Sequence, residues 1–92
     1  MKFIWDERKN QSNIISHKVS FQEAETVFYD PHAKIIHDPD HSFDEEKFII
    51  LEISKILKLL VVCHCYREEE EIIRIISARK ATKKESKSYG EK

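Results

Sequence analysis

Residues 61–80 read VVCHCYREEEEIIRIISARK. Two β-branched, apolar runs flank a block of glutamates, the pattern of two strands joined by an acidic turn. The spacing predicts a strand over 58–66, a turn at Glu68–Glu71 and a second strand over 72–79. On the first strand, alternation sends His64 and Tyr66 to one face and Cys63, Cys65 and Arg67 to the other. On the second, strict alternation groups Ile73, Ile75, Ser77 and Arg79 against Ile72, Arg74, Ile76 and Ala78. The short turn puts Arg67 and Arg74 at one end of this hairpin and Arg79 at the other.

Upstream, residues 47–54 form another strand-like run, joined to the hairpin by Lys55-Ile56-Leu57, a tight connection without the usual Gly or Asn. Residues 33–37 suggest a short strand, and 38–46 (DPDHSFDEE) a polar connection with turn chemistry. Phe3-Ile4-Trp5 suits an edge strand. Asp6 stands at a helix N-cap, with residues 7–16 helical and Ile14 and Ile15 as its apolar contacts. Ser20 and Glu23 make a capping box for a helix whose stripe is Phe21, Ala24, Val27 and Phe28, ended by Asp30-Pro31. Downstream, Thr82 and Glu85 cap a last helix over 81–89, with Gly90 at its end. The expected fold is α+β, an antiparallel sheet with two N-terminal helices packed on it and a short C-terminal helix.

The 92 residues allow one domain, 1–92, with one modest core. A charged fraction of 36% against 40% hydrophobic suits a globular chain. The longest fully apolar stretch, Leu59 to Cys63, is too short to cross a bilayer, and the first residues lack a secretory signal's apolar region. A cytoplasmic location without membrane association is the expectation. Cys63 and Cys65 have no other cysteine to pair with. The histidines near Asp38 and Asp40 (His32, His37 and His41) match no standard zinc spacing, and alternation separates His64 from both thiols. No metal and no cofactor is expected.

The formal net charge of -1 hides an asymmetry. From residue 74 onward seven Lys/Arg face two Glu, a balance of +5, whereas the preceding residues carry -6. A solvated helix end is the plain reading of such charge; an anion-binding edge is the functional one. Arginines in apolar strands either meet carboxylates such as Asp30, Asp38 or Glu52, or face a groove. Arginines, a histidine and a basic tail would together suit RNA cleavage. The RNA supplies its own 2′-hydroxyl nucleophile, guanidinium can stabilise the phosphorane, and histidine can move protons.

The chain resembles the BrnT family, the toxin half of bacterial BrnT/BrnA toxin–antitoxin modules. The carriers are Trp5-Asp6 with Lys9 and Asn13, HKVSFQEA (17–24), Phe28-Tyr29-Asp30-Pro31, Glu46-Lys47-Phe48, VVCHCYRE (61–68) and RIISARKATKKE (74–85). The resemblance implies a small RelE-like domain. It also implies a metal-independent endoribonuclease that inhibits translation until a BrnA-like antitoxin, here in a 2:2 toxin–antitoxin assembly, neutralises it. RNA would be the substrate, and operator DNA would be reached only through the antitoxin complex. The implied catalytic positions are Arg67, Arg79, His17 and His64, with Arg74, Lys80, Lys83 and Lys84 holding RNA. The alternative is a non-catalytic binding protein acting through that antitoxin and repressor complex. Lys18 replaces the glycine that usually follows the family's histidine, so a different turn is expected there.

Overall fold

Asp6 and Ser20 start the two N-terminal helices as their sequence contexts require. Asp6 accepts from the Arg8 amide (2.9 Å) and Ser20 from the Glu23 amide (3.0 Å). The structure, a computed structural model, describes residues 1–69 and 71–90; Glu70 in the acidic turn, residues 91–92 and the side chain of His41 lie outside the described residues. The elements are β1 (Lys2–Ile4), α1 (Glu7–His17), α2 (Phe21–Glu25), β2 (Ile35–His37), β3 (Phe48–Ile53), β4 (Leu59–Arg67), β5 (Ile72–Lys80) and α3 (Lys83–Gly90). A 3-10 turn at Thr26–Tyr29 continues α2 up to Asp30-Pro31.

The strands form a five-stranded sheet in the order β1-β5-β4-β3-β2. The three hairpin-linked strands are antiparallel, as short turns dictate. β1 departs from the expectation: it pairs parallel with β5, with Phe3 opposite Ile73, so the sheet is mixed. The two helices lie between β1 and the rest of the sheet in sequence, which frees β1 to join in either direction.

One sheet face carries the core. Val19, Phe21, Ala24 and Val27 pack on Ile50, Leu60, Val62, Ile73, Ile75 and Ala78, all buried. The predicted stripe of α2 is therefore its buried face. α1 behaves differently. Ile15 is exposed, and the helix instead buries Asn10 and Asn13. Buried amides persist only when satisfied. Asn10 Oδ1 accepts from the Phe21 amide (2.9 Å). Asn13 donates to the carbonyls of Val19 (2.8 Å) and Ala78 (2.7 Å) and accepts from the Ala78 amide (3.1 Å). It thus stands in for a missing strand beside β5, where the short β1 has ended.

Left-handed residues close the turns. Lys18 caps α1 at φ 60°, the conformation a glycine adopts without cost, and its amide bonds back to Ile14. The turn is left-handed with the lysine in place. Leu57 (φ 65°) completes the three-residue β3–β4 loop, where its amide donates to the Ser54 carbonyl (2.9 Å).

Candidate functional site

The second sheet face, opposite the core, gathers the arginines. Across β4 and β5, Cys65 faces Arg74, Cys63 faces Ser77 and Val61 faces Arg79, while His64 faces Ile75. One step on β4 thus spans two on β5, and Ile76 is the extra residue of a β-bulge. This corrects the expected alternation. Beyond the bulge Ala78 returns to the core, and Ser77 and Arg79 join Arg74 on the open face. Arg67, on the same face of β4, completes the set.

Each end of this face is held by a carboxylate. Arg67 Nη1 pairs with Glu45 (2.6 Å), and the hydrogen bond from Arg67 holds the Glu45 carboxyl below its ordinary pKa, with Arg74 adding to the effect. Glu45 comes from the polar connection 38–46, which folds along the open face. Arg79 makes a two-pronged pair with Glu85 of α3, at 2.8 and 3.0 Å. The bond from Arg79 drives the Glu85 carboxyl down to about 2. Glu85 also closes the predicted capping box, accepting from the Thr82 amide (2.8 Å) while its own amide reaches Thr82 Oγ1 (3.1 Å). The partners are therefore Glu45 and Glu85, not the expected Asp30, Asp38 or Glu52. Both guanidiniums stay accessible, with 37% and 41% of the Arg67 and Arg79 side chains exposed.

Between the arginine ends lies a cavity of about 200 Å³ lined by Asp38, Ile49, Val61, Cys63, Ser77 and Arg79. Burial pushes the Cys63 thiol above its ordinary pKa, and the Asp38 charge raises it further, so this is no activated thiolate. A second cavity of about 250 Å³ adjoins through Ile49 and runs under the end of α3, at Ser88 and Tyr89. Tyr89 ties that helix to the sheet by donating to buried Glu52 (2.7 Å).

The two histidines are not brought to this face together with the arginines. His64 lies fully buried on the core face, edge-on to Phe28 (4.7 Å between ring centres). Its Nδ1 is 3.4 Å from the Val62 carbonyl and its Nε2 is 3.2 Å from the Tyr66 hydroxyl, which a neutral ring protonated at Nδ1 satisfies. Burial lowers its pKa to about 4. The sheet separates it from Arg67 and Arg79, and for Arg67 this is the separation that alternation along β4 predicts. His17 is exposed in the last turn of α1. Lys80, Lys83 and Lys84 are exposed at the end of β5 and the start of α3. Sequence reading missed the bulge at Ile76, Asp38 in the cavity and Glu45 on Arg67. Ser77 between two apolar runs was the only hint of the first.

The family model described as "Ribonuclease toxin, BrnT, of type II toxin-antitoxin system" matches residues 5–85. The chain belongs to the BrnT family. Its fold is similar to the 1.1 Å crystal structure of the Brucella abortus ribonuclease toxin, BrnT, at a TM-score of 0.68 and 26% identity, over 90% of this chain and 99% of that one. No curated protein matches the chain by sequence. The BrnT match spans both the core helices and the arginine-bearing strands. Among the described residues no helix is long and apolar enough to cross a membrane.

Proposed function

We propose that the chain is an endoribonuclease toxin whose open sheet face grips RNA, and whose activity is neutralised by an antitoxin covering that face. The observation that carries the reading is the Ile76 bulge, which aims Arg67, Arg74 and Arg79 from one face of β4 and β5. Three guanidiniums on one face suit a polyanion, and planar fork geometry suits the oxygens of a phosphorane. Arg67 and Arg79 stabilise the phosphate in the transition state, and Arg74 with Lys80, Lys83 and Lys84 holds the backbone. The 2′-hydroxyl of the RNA is the nucleophile, with no step that requires a metal. His64 serves the core; exposed His17 is the histidine open to RNA. Loss of intact messenger RNA is the route by which the toxin depresses translation.

A specific observation favours the non-catalytic alternative: Glu45 and Glu85 already occupy two of the arginines. A ligand must compete with them, and an acidic antitoxin segment does so as readily as RNA. Substitution separates the readings. Arg67→Ala and Arg79→Ala should stay folded and bind the antitoxin, yet lose growth arrest and RNA cleavage. Folded variants that still arrest growth would reduce the face to a docking surface.

A further inference from the structure

We infer that the outer edge of β2 pairs with the same edge of a second copy of this chain, joining two sheets across a two-fold axis. The inference stands apart from the ribonuclease reading, since it leaves the arginine face uncovered.

β2 ends the sheet, and among the described residues only β3 pairs with it. The two edges of the sheet differ. At one, β1 carries Lys2, and its Phe3 and Ile4 are half-buried. At the other, β2 offers Ile35 and Ile36, 40% and 57% exposed, with no lysine or proline inside the strand. Soluble proteins usually guard such an edge, because open amides and carbonyls beside apolar side chains template further pairing. On the open face Ile36 also continues into Ile49 and Leu51, which line the cavity of about 250 Å³ with it. The apolar patch is therefore wider than the strand.

The backbone sets the register. The Asp38 amide donates to the Lys47 carbonyl (2.8 Å), which makes theirs a hydrogen-bonded pair continuing the β2–β3 ladder. Such pairs alternate along an antiparallel ladder. Ile36 therefore turns its amide and carbonyl towards Ile49, whereas Ile35 and His37 aim theirs outward. A two-fold axis that sets Ile36 opposite its own copy lets Ile35 of each chain exchange both bonds with His37 of the other. Sliding the copies one way brings in Pro39, which has no amide to give. Sliding them the other way brings in Ala33, whose amide already donates to the Asp30 carbonyl (3.1 Å).

Charge favours a copy over an unrelated strand. Lys34 leads into β2, while exposed Asp40 and Glu46 stand at its far end, Glu46 paired with His37. The two-fold carries each Lys34 to the acidic end of the other chain, so the edge is complementary to itself. A three-residue strand makes a small contact, and the dimer is accordingly weak, with a dissociation constant of roughly 10–100 µM. Residues opposed in this way share a face, so both arginine rows open on one side of the joined sheet.

The test is sedimentation equilibrium of the full chain from about 1 µM to 1 mM, a range that brackets such a constant. Monomer should pass to dimer, and over the same range the amides of Ile35 and His37 should become protected from hydrogen exchange. Ile36→Lys and Ile36→Glu alter an exposed side chain. Each alone should weaken the dimer about tenfold or more by opposing like charges, and an equimolar mixture of the two should restore it. A monomer at every concentration, a dimer indifferent to either charge, or a mixture that stays monomeric would overturn the pairing. Should the variants fail to fold, the unaltered chain decides, and exchange at Ile35 and His37 that ignores concentration overturns it. A chain monomeric alone, whose I36K form no longer retains a co-expressed antitoxin, would give the edge to that partner and likewise end the case for a copy.

Discussion

Arg74 and Arg79, which strict alternation would send to opposite faces, project from the same face of β5 because Ile76 is an unpaired extra residue between them. Together with Arg67 across the ladder they form one cationic row. Affinity for single-stranded RNA should therefore fall with salt, each phosphate contact adding roughly 0.7 to the slope of log K against log salt. Arg74→Ala should reduce that slope by about 0.7, measured by filter binding across a salt series. An unchanged slope would mean that Arg74 meets no phosphate.

Glu85 holds Arg79 and closes the cap of α3 at once. Glu85→Gln keeps an acceptor for the Thr82 amide but removes one negative charge from the phosphate's approach. RNA should bind about fivefold tighter, the size of a contact charge effect in water. Acid dependence follows from the same pair. The folded carboxyl titrates at about 2, below its ordinary value of 4.5, so the pair's stabilisation is complete above 4.5 and is lost as pH falls towards 2. Denaturant unfolding of E85Q should lack that acid step. Weaker RNA binding would instead show that Glu85 aims Arg79.

Buried and neutral, His64 makes a different acid prediction. Its folded pKa of about 4 lies below the ordinary 6.5, so between those values the unfolded chain binds the extra proton. Stability should be full above pH 6.5 and decline on acidification to about pH 4, by about 3 kcal/mol at most. His64→Gln should remove this step in urea melts, whereas the nuclease reading predicts that its folded fraction retains cleavage. A retained step would place the titration elsewhere.

The elements were legible wherever local chemistry decided them. Ser20 with Glu23 and Thr82 with Glu85 form the capping contacts their spacing announces, and the α2 stripe is the buried one. What escaped were features settled by distant partners. The parallel pairing of β1 is chosen by the completed sheet, not by residues 2–4. Asn10 and Asn13 look like surface residues of a polar helix until Phe21 and Ala78 supply their partners. The bulge moved half of one strand to the other face, because Ala78, not Ser77, fits the core below Asn13. The arginines were visible as a charge excess, yet their common face and their partners Glu45 and Glu85 depend on that single unpaired residue and on how the 38–46 connection folds back.

Asn13 carries a stability prediction that follows from this dependence. Both backbone groups of Ala78 bond to its side chain, and among the described residues β1, the strand on that edge of β5, pairs only as far as Arg74. Asn13→Ala would leave a buried amide and carbonyl unmatched, which costs about 2–3 kcal/mol by chemical denaturation. Since Ala78 neighbours Arg79, RNA affinity should fall as well, without a change in salt slope.

Lys18 gives the converse case, a position where the sequence sits above its backbone optimum. At φ 60° and ψ 28° its side chain crowds the carbonyl that a glycine would leave clear. Part of the relief is offset by the greater freedom glycine has when unfolded. Lys18→Gly should therefore stabilise the chain by about 0.5–1 kcal/mol, raising Tm by several degrees in a domain of this length. Lys18→Ala keeps the Cβ and should gain nothing, so the pair of variants isolates backbone strain from loss of the lysine charge. Equal gains in both would assign the effect to charge beside His17 instead.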